Sequence, residues 1–296
     1  MGGLKILLTG ANGFIGRNLL RQLEPKFSVL GLQRTIATEP FCLQVDFNDQ
    51  IGLEQIFQSF QPDVVIHLAS NTNRTRAMHE LPKFIDANLN LTNQLLLAGI
   101  SLQSPPKFIF LSSAEVYGPQ SGCLDESTIT NPVSPYGISK VCAENLLALY
   151  HRNYGISAHI LRVFNVYGNG QDPGFFFADL MRAYREGTVF EMTAGEQKRD
   201  FIYIQDLLRA IEIFIHRPNL LECVNISSGN AISLSRVVEI FNDKVNGQLV
   251  VSKTLPYRAN EIWEIAGNNS KLIRLGFQLL FSIDNGIEVM LEHEKV

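Results

Sequence analysis

The sequence predicts an α/β chain, a doubly wound parallel sheet covered by helices and followed by a smaller mixed C-terminal domain. Three observations predict it. Short apolar, β-branched runs alternate with longer segments of helical period for most of the length. The runs are continuously apolar instead of alternating, as in strands buried on both faces. After about Val166 the rhythm loosens, with Gly168, Gly170, Pro173 and Gly174 gathered in one loop.

Taken in order, strands are expected at 5–9, 28–32, 64–68, 108–111 and 158–162, and helices at 14–23, 53–60, 83–98 and 136–154. A helix near 177–186 and a strand near 222–227 follow the loop. The first domain is expected to cover 1–166, with 201–228 returning to it, and the second 167–296.

Composition narrows the function classes. With 46% hydrophobic residues and 18% charged, the chain has the make-up of a soluble globular protein. Lys and Arg number 25 against 29 Asp and Glu, for a net charge of -4 without like-charge runs, which argues against nucleic acid or membrane partners. Cys42, Cys123, Cys142 and Cys223 are scattered, without CxxC or a histidine at ligand spacing. They read as reduced thiols of a cytoplasmic protein, with no metal site. No apolar run reaches the roughly 20 residues of a spanning helix, and no secretory signal is apparent.

Directly after the first strand comes Gly10-Ala11-Asn12-Gly13-Phe14-Ile15-Gly16, with the next helix starting inside it. Strand, glycine turn and helix in that order place backbone N–H groups and a helix's positive end where a diphosphate can sit. The spacing is GxxGxxG, so a turn needed only for tight packing is the competing account. The second strand runs into Gln33-Arg34-Thr35 with no acidic residue for an adenosine ribose. Arg34 either meets a 2'-phosphate, which favours NADP(H) over NAD(H), or is a solvated surface side chain. Asp46, in Val45-Asp46-Phe47, either accepts from an adenine amino group or caps the next turn.

Ser134-Pro135-Tyr136-Gly137-Ile138-Ser139-Lys140 opens a helix, with Pro135 suited to its first turn. Tyr136 and Lys140, four apart, share a face. An ammonium near a phenol lowers a pKa that starts near 10, which suits a general acid or base. Upstream, a strand ends in Leu111-Ser112-Ser113-Ala114-Glu115-Val116-Tyr117-Gly118, and carboxyl ends of parallel strands face the ligand crevice. Ser113 is then placed to bond a reacting carbonyl or to bond its own turn, and Glu115 is a base or a solvated carboxylate.

Together these motifs resemble the extended short-chain dehydrogenase/reductases that modify nucleotide sugars, and the resemblance covers nearly the whole chain. It also takes in His67-Leu68-Ala69, Asn88, Arg162-Val163-Phe164-Asn165-Val166-Tyr167-Gly168 and Arg199-Asp200-Phe201-Ile202-Tyr203. The resemblance implies a Rossmann-type first domain, a nucleotide-sugar-binding second domain and a homodimer. It implies a cofactor cradle of Gly10, Asn12, Gly13, Phe14, Ile15 and Gly16 with Arg34, Asp46, Phe47, Leu68, Ala69, Tyr136 and Lys140. Catalysis would fall to Ser113, Glu115, Tyr136 and Lys140, and substrate binding to Asn165, Arg199, Arg258 and Glu261. For Arg199, a local ion pair with Asp200 is the plain alternative.

The leading expectation is reduction of a 4-keto-6-deoxy nucleotide sugar by NADPH, drawn from Gln33-Arg34. NAD-dependent 4-epimerisation is the alternative, then 4,6-dehydration, then a non-catalytic NAD(P)-binding protein. Ala114, where many sugar dehydratases have Asp, weakens dehydration.

Overall fold

The computed structural model describes residues 3–37, 39–73, 75–257 and 261–293. The chain forms two compact units. One takes the residues through Gly118 with Ile129–Arg162 and Ile211–Val224, and the other Pro119–Thr128, Val163–Ala210 and the residues from Asn225 onward. The boundary expected at 166 thus falls at 162/163, and the return is 211–224 rather than 201–228. The ten residues of Pro119–Thr128, read as part of the first domain, belong to the second unit.

The first unit is built on β1 (Lys5–Thr9), α1 (Phe14–Leu23), β2 (Ser28–Gln33), β3 (Cys42–Gln44), α2 (Gln50–Phe60) and β4 (Val64–His67). There follow α3 (Leu81–Phe84), a π-helical turn (Ile85–Asn90), α4 (Leu91–Ile100), β5 (Lys107–Ser113) and α5 (Pro135–Tyr154). Among the described residues the main sheet has seven strands in the order Leu221–Ile226, Ala158–Val163, β5, β4, β1, β2, β3. β1 pairs in parallel with both β2 and β4, so the strand order reverses around its carboxyl end. A ligand crevice belongs there.

Burial accounts for the continuous apolarity. Every residue of β4 is buried, and β5 is buried up to Ser113. Leu7, Leu32, Val65, Phe108, Leu95 and Leu147 join strands and helices in one core. Helix starts are locally encoded: Asp49 caps α2 through the Gly52 N–H, and Ser134 caps α5 through the Gly137 N–H at 3.0 Å, with Pro135 in the first turn. The segment expected as one helix over 83–98 is helical over 81–100, but it is interrupted by the π turn.

In the second unit, Lys198–Tyr203 is the centre of a mixed sheet. It pairs antiparallel with Ala231–Ser233 and parallel with Glu264–Gly267 and Asn165–Tyr167. Gly122–Leu124 adds to Glu264–Gly267 in parallel, which explains why Pro119–Thr128 belongs to this unit.

Candidate active site

The glycine loop is held in one shape by close approach. Gly10 has φ +72°, and a Cβ there would come within 2.8 Å of the Ala69 amide nitrogen. A Cβ on Gly16 would stand 2.0 Å from the Gly10 carbonyl oxygen. The Leu68 N–H donates to the Thr9 carbonyl and the Ala69 N–H to the Thr9 hydroxyl, which seats the segment after β4 against the loop. Gly13 at the N-cap of α1 gives no side-chain cap, and the first turn holds no acid. The positive end of α1 is therefore left for an anion, and the residues present fit a dinucleotide's diphosphate. Phe14 is buried in the core, Ile15 is half-buried, and Asn12 donates to the Thr35 hydroxyl at 2.9 Å. Gly16→Ala is expected to lower stability by about 1–3 kcal/mol. Dinucleotide binding should fall with it; wild-type melting and wild-type dinucleotide binding would refute the cradle.

At the end of β2, the Gln33 side chain donates to the Ile36 carbonyl at 3.0 Å, closing the turn on itself. Arg34 is exposed and lines a polar cavity of about 440 Å³ with Ser70, Asn71, Lys83 and Asp86. Asp46 is exposed and accepts from the Asn48 N–H, so it caps its own turn, while Phe47 is buried in the core.

β5 and α5 bring the second group together. Ser113 ends β5, and its hydroxyl accepts from the Glu115 N–H at 3.2 Å. Glu115 accepts from the Ser134 hydroxyl at 2.6 Å, tying it to the cap of the helix that carries Tyr136. Lys140 is buried. Its ammonium donates to the Leu111 carbonyl at 2.7 Å and stands 4.6 Å from the Phe110 ring centroid and 5.8 Å from that of Tyr136. Burial pushes Lys140 down to about 7, against the nearby Glu144 charge. The half-buried Tyr136 ring lies 6.5 Å from Phe84. Tyr136 and Lys140 thus do share a face, beside the end of β5.

A buried polar network that sequence reasoning left without a role supports this group. His67 Nδ1 bonds the Thr9 hydroxyl at 2.8 Å and Nε2 the Thr92 hydroxyl at 3.0 Å. Asn88, in the π turn, accepts from the Ser70 hydroxyl and Asn71 N–H and donates to Ser139 Oγ at 2.8 Å. Ser139 in turn donates to the Tyr136 carbonyl at 2.7 Å. The only sequence signal was the occurrence of His67 and Asn88 in motifs; their partners lie up to 58 residues away.

Burial, and then the Lys140 charge, lower the His67 pKa from 6.5 to about 3. The unfolded chain binds this proton below about 6.5 and the native chain does not until about 3, so this contribution to stability is present above 6.5 and lost as pH falls towards 3. The slope is at most about 1.4 kcal/mol per pH unit. Urea midpoints against pH should show a shallower slope for His67→Gln than for wild type; equal slopes would refute it.

In the second unit, Asn165 Nδ2 donates to the Asp200 carbonyl at 3.0 Å. The Asp200 carboxylate, fully buried, is spent on the Ser228, Gly229 and Gly267 N–H groups and the Ser228 hydroxyl, so it is not the local partner that Arg199 was given as an alternative. Burial pushes its carboxyl up, and these bonds act the other way. Arg199 instead pairs with Glu261 at 2.6 Å and donates to the Ile262 carbonyl. Two residues expected to bind one nucleotide are therefore held together. Arg258 lies outside the described residues. Among the described residues there is no cluster of metal-ligating side chains and no helix long and apolar enough to cross a membrane.

Comparison with known proteins agrees with this geometry. Residues 6–227 match the family model described as NAD dependent epimerase/dehydratase family. An uncharacterized UDP-glucose epimerase of Bacillus subtilis is 32% identical over 81% of this chain and 82% of its own. A putative UDP-glucose 4-epimerase of Methanocaldococcus jannaschii is 31% identical over 96% of both chains. The structure is similar to that of the UDP-glucuronic acid 4-epimerase of Bacillus cereus in complex with UDP-glucuronic acid and NAD, with TM-score 0.87, 28% identity and 99% of each chain covered.

These findings overturn the preference for NADP(H): the family is NAD dependent, and the similar structure holds NAD. Arg34 is an exposed side chain that lines a polar cavity together with Lys83 and Asp86. An exposed arginine carries its charge whether or not a phosphate is there to meet it, so residue type alone does not report a 2'-phosphate. With the match spanning both the glycine loop and the Tyr136/Lys140 helix, this chain belongs to the NAD dependent epimerase/dehydratase family, enzymes of the extended short-chain dehydrogenase/reductase group.

Proposed function

We propose that the chain is an NAD-dependent 4-epimerase of a UDP-hexose or UDP-hexuronic acid. The observation that carries this reading is the buried Lys140 ammonium on the same helix face as Tyr136, beside the carboxyl end of β5. The two relatives above 30% identity and the similar structure are named as UDP-sugar epimerases, which favours epimerisation over the expected reduction of a 4-keto sugar. Ala114 in place of Asp weighs against dehydration.

In this reading NAD, when bound, supplies the hydride acceptor and donor at C4. Tyr136 takes the proton from the C4 hydroxyl and returns it to the opposite epimer, so no proton is gained or lost over the cycle. The Lys140 ammonium stabilises the phenolate and holds the nicotinamide ribose, and Ser113 orients the sugar oxygen. Glu115, bonded to the α5 cap, fixes the start of the helix rather than serving as a base. In the second unit Arg199 and Asn165 serve the diphosphate, Arg199 being suited to it by its planar fork. The same reading includes a homodimer formed through α4 and α5.

The test incubates the enzyme with catalytic NAD and either UDP-glucose or UDP-glucuronic acid and separates products by chromatography. Interconversion of C4 epimers without net change in NADH is expected. Stoichiometric NADPH oxidation by a 4-keto sugar, with no epimer formed, would overturn the proposal in favour of a reductase.

A further inference from the structure

One turn beyond Lys140, α5 carries a second buried charged group. Glu144 is 8% exposed, and both of its oxygens are engaged. Oε1 accepts from the Ser112 hydroxyl and from Arg162 Nε at 3.1 Å, while Oε2 accepts from Arg162 Nη2 at 2.7 Å. The guanidinium in turn lies 4.9 Å over the Tyr117 ring. Ser112 sits between Leu111, whose carbonyl receives the Lys140 ammonium, and Ser113. Adjacent residues at the end of β5 therefore bond two side chains one helical turn apart.

A buried ion pair is a weak source of stability, because desolvating two charges offsets most of their attraction. Its place beside a buried lysine calls for another account. We propose that Glu144, fixed by Ser112 and Arg162, is a positioning residue that keeps the Lys140 ammonium charged beside Tyr136. The inference rests on the reading of Tyr136 and Lys140 as the proton-transfer pair.

The surroundings of Lys140 support it. The lysine touches the Phe110 ring and the Leu111 carbonyl from β5 and lies near the Tyr136 ring from α5. Electrostatically it is linked to Glu144, one turn along α5, and to His67 in β4, which burial keeps neutral. Arg162, from the strand Ala158–Val163, bonds the Glu144 carboxylate and holds its direction. Of these groups only Glu144 is a carboxylate, and it opposes the burial that draws the proton off Lys140. Without that anion the lysine loses charge at lower pH, and the phenolate loses its stabilising neighbour.

The test uses the double variant Glu144→Gln/Arg162→Met, which removes both charges of the ion pair together. Tyr136 ionisation is read from near-ultraviolet phenolate absorbance against pH, with the same titration of Tyr136→Phe proteins subtracted. The Tyr136 midpoint is expected to rise by about one pH unit, and the acid limb of kcat to move with it. Repeated in a Lys140→Met background, the pair of substitutions should leave the midpoint where Lys140→Met alone puts it. Ser112→Ala, which removes one anchor of the carboxylate and leaves the ion pair, should shift the midpoint in the same direction and serves if the double variant does not fold. A wild-type midpoint in the folded double variant or in Ser112→Ala, or a shift that persists without Lys140, would overturn the proposal. The absorbance needs no sugar, so absence of turnover with every UDP-sugar, beside a shifted midpoint, would sink the epimerase reading and leave this inference standing.

Discussion

Tyr136→Phe is expected to lower kcat by about a hundred- to ten-thousand-fold, the usual worth of a positioned acid or base. The substitution removes one hydroxyl and leaves the ring in its place near Phe84. The α5 cap, formed by Ser134 and the Gly137 N–H, does not involve the phenol, and Ser139 bonds the residue's carbonyl, not its side chain. The variant should therefore keep the melting temperature and NAD content of the wild type while losing whatever UDP-sugar epimerisation the wild type shows. A kcat within tenfold of wild type would remove Tyr136 from the proton step.

The second large effect concerns stability. Arg162→Met leaves the Glu144 carboxylate buried with only the Ser112 hydroxyl, and loss of one partner of a buried ion pair costs about 3–5 kcal/mol. Adding Glu144→Gln should recover most of that loss, because two neutral side chains need no compensating charge. Urea unfolding midpoints of the two single variants and the double variant measure the coupling. Additive losses would mean that the pair is screened by water.

What could be read from sequence was local. The glycine loop, the start of α1 and the Tyr136/Lys140 face each lie within about seven consecutive residues, where spacing alone fixes geometry. Six of the seven main-sheet strands were legible because a sheet covered on both sides leaves an uninterrupted apolar signal, whereas the three-residue β3 and the second unit's central Lys198–Tyr203 gave no such run. The Ser112–Glu144–Arg162 cluster was not, since its members sit on three elements whose proximity depends on strand order. Nor was the departure of Pro119–Thr128 into the second unit, because Gly122–Leu124 is only three residues long. Arg34 misled because residue type reveals a charge but not the ligand it meets. Glu261 was expected in substrate binding, and its bond to Arg199, 62 residues away, is not visible in the sequence.

The π turn at Ile85–Asn90 has a consequence for how this chain tolerates length change. A π turn holds one residue more than the α-helix it interrupts. Removing a single residue there would let α3 run smoothly into α4, a change that local helix energetics would welcome. It would also draw the bulged backbone that carries Asn88 back onto the α-helical cylinder, with the flanking helices left in register. Asn88 would then part from Asn71 or Ser139, separating the segment after β4 from the helix that carries Tyr136. A single-codon loss that helical propensity favours is thus one that the crevice forbids, because this locally awkward stretch is what carries Asn88 out to both of its partners.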